Sequence, residues 1–321
     1  MSDEPLTLQA HPGSTLDASL EAFLLGREAA RCTPKTLQHY RYTCGSFINW
    51  LKCQGVTDPL AISAHHIRTY LVSLQRRGLR DTTQHAHARG VKAWLNWLVD
   101  EEYLDTSPMR KVRMPKLEER VLPPFAPEEV GKLLSVCDRR TAIGTRDYAI
   151  ILTLLDTGLR ASEFLLLYMG EINMRSGLVT ILGKGRKQRT VRVGSRARSA
   201  VLLMLGHRSR VADGEALWIA YNAGGQERGA LSLDGLRSVL KRLGAKAGVK
   251  PCSAHRFRRT FALWCLRDGM DLHSLRMLMG HSSLAVLQRY LALAGEDLER
   301  AHIAHSPVDR LLTGTQAGNK E

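Results

Sequence analysis

The sequence predicts a mainly α protein in two domains. One is an all-helical N-terminal domain over residues 15–104, and the other is a mixed α/β domain over 126–312 built around a small antiparallel sheet. Three observations carry this reading. Apolar residues recur at helical spacing behind recognisable caps as far as residue 104. A stretch at 105–125 with four prolines and five basic side chains breaks that pattern and reads as a linker. Beyond it, two short β-branched runs flank a glycine-containing turn. The 321 residues leave room for two domains at about 100–200 residues each.

In the first domain, Thr33 can cap a helix that has Pro34 at its first position, a place where proline's missing N–H costs nothing. Behind it Leu37, Tyr40, Cys44, Phe47, Ile48 and Leu51 share one face, and Gly55 ends the helix. Ser63 caps a third helix running through Leu74, with Gly78 beyond its end. Asp81 or Thr82 caps a fourth, in which Val91, Trp94, Leu95 and Leu98 fall on one stripe. A compact four-helix domain is expected. Residues 1–14 and 313–321 read as flexible ends.

In the second domain, Pro127 opens a helix reaching about Cys137, and another runs from about Thr145 to Asp156 with Gly158 as its stop. A further helix begins near Arg160. Val179–Leu182 and Gln188–Val193 read as strands around the turn GKGRKQ. From about Ser195 onward the pattern is helical, with breaks near 213–214, 224–225, 248–251, 269 and 280.

Hydrophobic residues at 44% and charged residues at 24% are ordinary globular values and argue against wholesale disorder. The longest apolar runs reach six residues, too short to span a bilayer, and the polar, acidic N-terminus has no signal-peptide core. A cytoplasmic, nucleoid-associated protein is expected. The six cysteines form no CxxC pair and read as reduced thiols. The net charge is +15, of which residues 1–104 carry +1 and the remainder +14. Such an excess suits a polyanionic partner. Arg68, Arg76, Arg77 and Arg80 on or after the third helix, and Arg110, Lys111, Arg113 and Lys116 in the linker, could meet phosphates, although a solvated face and a plain spacer explain them as well.

Several residues of the second domain suit phosphoryl transfer. Stabilising a crowded, negative phosphorane calls for fixed cations, and arginine's planar fork binds two phosphate oxygens while staying protonated. In SAHRFRRTF, Ser253 can cap a helix on which His255 and Arg258 stand at i and i+3 near its positive end. In DTGLRASE, Glu163 lies three residues after Arg160 and could hold that arginine or a neighbouring histidine. In LMGHSSLAVLQRY, His281 follows a helix-ending glycine and Tyr290 stands two helical turns further on. In ILGKGRKQRTV, Lys184 sits on the turn between the strands. Each feature alone also fits a bland surface or core role. Their joint order, Arg160, Lys184, His255, Arg258, His281, Tyr290, does not.

That order resembles the tyrosine recombinases, the phage integrase family. TGLRxSE, the GKG turn lysine, HxxR, LxGH and a tyrosine nine residues after that histidine are the family's signatures, and the likeness covers essentially the whole chain. The resemblance implies a SAM-like core-binding domain joined to a catalytic domain with the DNA breaking-rejoining enzyme fold. It implies cleavage and rejoining of DNA through a 3′-phosphotyrosine, with no metal and no cofactor. Carried over, Tyr290 is the nucleophile, Arg160 and Arg258 clamp the nonbridging oxygens, and His281 donates to the phosphate. Lys184 protonates the 5′-hydroxyl, His255 serves proton transfer, and Glu163 supports the site. The implied partners are double-stranded recombination sites, further copies forming a tetramer on two sites by way of a Holliday junction, and in some systems a partner recombinase or a directionality factor.

A C-terminal segment at about 296–312 is the candidate for donation to a neighbouring copy; a terminal helix packed on its own domain is the alternative. Where Xer recombinases usually carry a histidine after HxxR, this chain has Arg259. The helical domain begins near residue 15, without the extra arm-binding domain of the lambda type, which places the layout nearer the Xer or Cre type. That layout serves integration and excision of mobile elements and resolution of DNA multimers alike. A type IB topoisomerase-like activity and a catalytically silent DNA-binding relative are the rival readings.

Overall fold

We describe residues 15–117, 122–182, 188–209, 211–280, 306 and 308 of a computed structural model of the chain. The sequence-based expectations for 1–14, 313–321, Lys184, His281, Tyr290 and nearly all of 296–312 lie outside these residues. The chain divides into two compact units, Met1–Val121 and Leu122–Glu321.

The first unit holds four helices, α1 (Leu16–Ala29), α2 (Pro34–Cys53), α3 (Ala64–Arg76) and α4 (Asp81–Asp100). Side chains do the capping at three of the four starts. Thr15 accepts from Ala18 N, Thr33 from Thr36 N with Pro34 at the first position, and Ser63 from His66 N. The fourth start differs from expectation: Arg80 holds the cap position with no side-chain bond, and Asp81 is already the first helical residue, where its charge favours the helix dipole. The predicted α2 face is the one that meets the core. Cys44, Phe47, Ile48 and Leu51 are buried, whereas Leu37 and Tyr40 pack from the edge. Phe47, Tyr70 and Trp94 fill the centre, and α2 and α4 approach so closely at Gly90 that a Cβ there would lie 2.0 Å from Thr43 Oγ1. The proline-rich stretch is shared between the units. Met109, on a short 3-10 turn at Pro108–Lys111, is buried in the first unit's core with Val112 and Met114 packed beside it, and Phe125 is buried in the second.

The second unit contains α5 (Pro127–Ser135), α6 (Ala142–Thr157), α7 (Ala161–Leu165), α8 (Ser195–Leu205), α9 (Leu233–Lys246), α10 (Ala254–Arg267) and α11 (Leu272–Met279). β1 (Leu178–Leu182) and β2 (Gln188–Arg192) pair antiparallel, with Leu182 opposite Gln188 at the tip. A second two-stranded sheet, β3 (Ile219–Tyr221) with β4 (Glu227–Ala230), stands where the sequence pattern reads as helix. β4 is a short, largely exposed run, ERGA, and offers no apolar alternation to read. The predicted break at 224–225 is its turn. α6 also starts earlier than expected, because Thr141 accepts from Gly144 N.

Val179, Ile181 and Val191 face inward from the hairpin into the core of this unit, and Phe164 stacks on Trp218 at 4.3 Å between ring centroids. Buried Arg146 forks onto Asp147 and reaches Ile219 O, tying α6 to β3. None of the six cysteines is bonded to another; Cys44 and Cys137 are buried, and Cys53 is exposed.

Candidate active site

The site forms where two helices end and two begin. α6 stops at Gly158 and α11 stops at Gly280, both with left-handed backbone (φ 57° and 61°) that glycine adopts without strain. A helix C-terminus carries partial negative charge on its last carbonyls, so cations are favoured there. Arginines from elsewhere in the chain satisfy both ends.

Arg258 projects from α10 and is buried. It donates to Gly158 O at 2.6 Å and to Met279 O at 2.7 Å. Arg160 caps α7 and donates to Gly280 O at 3.0 Å. Each arginine of the TGLR and HxxR motifs thus meets a carbonyl next to the other's surroundings, and Arg258 reaches Gly158 from 100 residues away in sequence. The Arg160 side chain stays 38% exposed and remains open to a ligand. Such charge-assisted bonds are worth about 1.5–3 kcal/mol each.

Glu163 completes a capping box: its Oε2 accepts from Arg160 N at 2.9 Å, and its Oε1 accepts from Arg160 Nη1 at 2.8 Å. Burial alone would raise the Glu163 pKa, but hydrogen bonds from Arg189 and Arg160 outweigh it and pull the group down to about 2. It is therefore ionised at any physiological pH.

Arg189, on β2, escaped the sequence reading. It forks onto Glu163, with Nη1 to Oε1 at 2.9 Å and Nη2 to Oε2 at 2.7 Å, while its Nε donates to Leu278 O at 2.8 Å. A signal was present. In QRTVRV, Arg189 is in phase with Val191 and Val193, an arginine on the inward side of a strand.

His255 stands on the first turn of α10, beside a cleft lined by Ala161, Leu240, Cys252 and Ser253. Partial burial against the protein and the nearby positive charges of Arg259 and Arg258 lower its pKa from the ordinary 6.5, which favours the neutral imidazole. A neutral ring can accept a proton. Ser253 caps α10 by accepting from Arg256 N, as its sequence position predicts.

α10 is held from behind by a second residue that the sequence reading passed over. Arg256 is buried, donates to Pro123 O, Pro124 O and Pro251 O, pairs with Glu129 at 2.7 Å and lies 4.0 Å from the Phe125 ring centroid. Thr260 accepts from Phe125 N, and Arg259 donates to Leu122 O. Arg256 and Arg258, two apart on α10, thus fix opposite attachments of one helix.

In the first unit, Arg68, Lys111 and Arg113 line one cleft, and Arg68 donates to Lys111 O at 2.8 Å. Arg76, Arg77, Arg80, Arg110 and Lys116 are exposed. Among the described residues no three His, Cys, Asp or Glu side chains gather as a metal site. No helix of the described residues is long and apolar enough to cross a membrane.

Comparison with known proteins adds to this geometry. Residues 124–296 match the model of the phage integrase family, and residues 20–105 match the phage integrase N-terminal SAM-like domain. The chain is 30% identical to the tyrosine recombinase XerC of Xanthomonas campestris, over 96% of this chain and 95% of that one. It is 30% identical to XerC of Bacillus pumilus, over 85% and 90%. Among solved structures, the Tn1549 transposon integrase bound to circular intermediate DNA superposes with a TM-score of 0.67 at 18% identity, covering 87% of this chain and 95% of that one. A lambda integrase dimer bound to a core site gives 0.68 at 14% identity, covering 86% and 95%. These two likenesses are of fold.

Proposed function

The chain belongs to the phage integrase family of tyrosine recombinases, and from that premise we propose that it performs site-specific recombination by cutting and rejoining DNA through a 3′-phosphotyrosine. The observation that carries the proposal is the convergence of Arg160 and Arg258 on the ends of α6 and α11, immediately before His281. Arg160, Arg189 and Arg258 against Glu163 leave an excess of two positive charges there, which suits the phosphorane.

In the proposed reaction, Tyr290 Oη attacks the scissile phosphorus as its proton passes to the neutral His255. A tyrosine of ordinary pKa, about 10, requires such help. The P–O5′ bond breaks, and Lys184 gives a proton to the departing 5′-oxygen. Arg160 and Arg258 bind the nonbridging oxygens, with His281 as a third donor, so that charge is met by groups that need not reorganise. These cations take the electrostatic part a metal plays elsewhere, and we propose a metal-independent reaction. The ester keeps the energy of the cut bond, and a 5′-hydroxyl of a partner duplex releases Tyr290 by the reverse displacement.

The two domains, 15–104 and 126–312, would grip the duplex, with the 105–125 stretch and its basic residues along the backbone. Assembly is proposed as a tetramer on two sites, the 296–312 segment passing to a neighbour, with a partner recombinase or directionality factor in addition where the system uses one. Moving an element in or out of a genome and resolving multimers are both within this chemistry.

Covalent trapping tests the proposal. Nicked suicide fragments of the host genome and its mobile elements are incubated with the protein in the presence of a chelator, and protein-linked ends are sequenced. Adducts at one recurrent sequence, lost in Tyr290→Phe with binding intact, are the expected outcome. Adducts scattered over all sequences would assign a topoisomerase instead, and binding without adducts a silent relative.

A further inference from the structure

The clasp around Glu163 contains one arginine that the reaction scheme above does not use. Arg189 is only 12% exposed and spends all three guanidinium nitrogens on the site. The sharing is symmetrical: each Glu163 oxygen accepts one bond from Arg160 and one from Arg189. The carbonyls of Leu278, Met279 and Gly280 are in turn held by Arg189, Arg258 and Arg160 respectively. Arg189 also fills the space left by a missing side chain, since a Cβ on Gly280 would lie 3.0 Å from its Nη1 and 3.2 Å from its Cδ and Cζ.

Stability alone is a weak reason to keep such an arrangement. A buried ion pair can often be replaced by apolar groups of the same volume without loss of stability. What the fork supplies is direction. It fixes the carboxylate plane, and that plane fixes where Arg160 Nη1 lies. Lysine carries a point charge and could not span Glu163 and Leu278 O with the same geometry. Arg189 also belongs to the strand that follows Lys184 in sequence, so it joins the β1–β2 pair, α7 and the end of α11 at one side chain.

We propose that Arg189 is a positioning residue for strand cleavage, which, held in place by its bond to Leu278 O, forks onto Glu163 and so sets the Arg160 guanidinium in its reactive place. The inference rests on the recombinase reading. Arg189 acts through Arg160 and touches no DNA.

The test uses the full chain and a nicked suicide duplex bearing the sequence recovered by wild-type trapping. Single-turnover cleavage at saturating DNA, duplex affinity and thermal midpoint are measured for Arg189→Met, Arg189→Lys, Arg160→Ala and the double variant Arg160→Ala/Arg189→Met. Arg189→Met and Arg189→Lys should each cleave about 10- to 100-fold more slowly, the scale of a misplacement near 1 Å, with affinity changed less than about two-fold. The Arg189→Met loss should vanish in the Arg160→Ala background while its effect on the thermal midpoint persists. A purely structural role would leave rate losses that multiply. Multiplying losses, or wild-type cleavage by Arg189→Lys, overturns the proposal. If Arg189→Met does not fold, Arg189→Lys and its double with Arg160→Ala decide by the same criteria. Failure of the wild type to form a Tyr290-dependent adduct would overturn the recombinase reading itself, and this inference with it; an adduct with unaffected Arg189 variants removes only the inference.

Discussion

Arg160 and Arg258 do unlike work with the same side chain. Arg258 is buried with its terminal nitrogens on two backbone carbonyls, so substitution leaves those helix-end carbonyls short of their donors and, on the proposed reaction, removes a phosphate ligand as well. Arg160 is partly open, and on the same proposal its loss removes mainly the ligand. Alanine at either position should slow cleavage by about 3–4 kcal/mol of transition-state stabilisation, as for a lost oxyanion donor. Arg258→Ala should in addition lower the thermal midpoint more than Arg160→Ala. Trapping rates and scanning calorimetry on the two variants check both statements.

His255 gives a pH prediction. Its proton affinity is lowered from the ordinary value of 6.5, so the acidic limb of the cleavage profile should lie below pH 6.5 and disappear in His255→Gln. Glu163 acts on stability in the other direction from a raised base. Its folded pKa, about 2, lies below the ordinary 4.5. Its stabilisation, roughly 3 kcal/mol on the scale of one pKa unit per 1.36 kcal/mol, is present above pH 4.5 and drains away as pH falls toward 2. Urea melts of the wild type and Glu163→Gln should converge across that window.

At the scale of elements, close approach is what the structure adds to the pattern. Gly90 lets α4 lie on Thr43 of α2, so Gly90→Ala should cost about 1–3 kcal/mol through overpacking. Gly158→Ala should cost at least as much, since it puts a Cβ at positive φ and 2.3 Å from the Phe261 ring. It should also slow cleavage, because Arg258 is anchored on Gly158 O. Equilibrium unfolding of both variants decides.

Elements with periodicity and a cap were legible from residues alone. Thr33, Ser63 and Ser253 cap where they were expected to, and the apolar stripe of α4 is the buried one. The β3–β4 pair was not, because strands of three and four residues are too short to show a readable run of alternation and β4 is largely solvated. Arg256 and Arg189 were passed over for a different reason. Their importance lies in carbonyl partners far away in sequence, and backbone oxygens leave no mark in a motif. The order of catalytic motifs was legible as a family pattern, whereas the interlocking of the two arginines at helix ends required coordinates.

At the scale of the whole molecule, each unit encloses its own core, one centred on Phe47 and Trp94 and the other on Phe164 and Trp218. A fragment beginning at Leu122 should therefore fold alone, retain far-ultraviolet helical signal and melt cooperatively. Charge distribution adds to this. Nearly all of the net +15 lies beyond residue 104, so the Leu122 fragment should keep much of the salt-sensitive affinity for mixed-sequence duplex, and its log K should fall linearly with log salt. A fragment ending at residue 117 should bind with a shallower slope. Filter binding at several salt concentrations reads both.

The cysteines carry a practical consequence for spectroscopy. Burial pushes the thiols of Cys44, Cys137 and Cys252 up to about 12 and that of Cys265 up to about 11, which starves them of the thiolate that maleimides attack. Cys53, at the last residue of α2, is exposed, and Cys32 is partly so. With Cys32→Ser alone, a single fluorophore should settle on Cys53, in the unit that does not contain the arginines of the clasp. The native chain is thus one substitution from a dye-labelled reporter with which the proposed binding to a recombination site could be followed one molecule at a time.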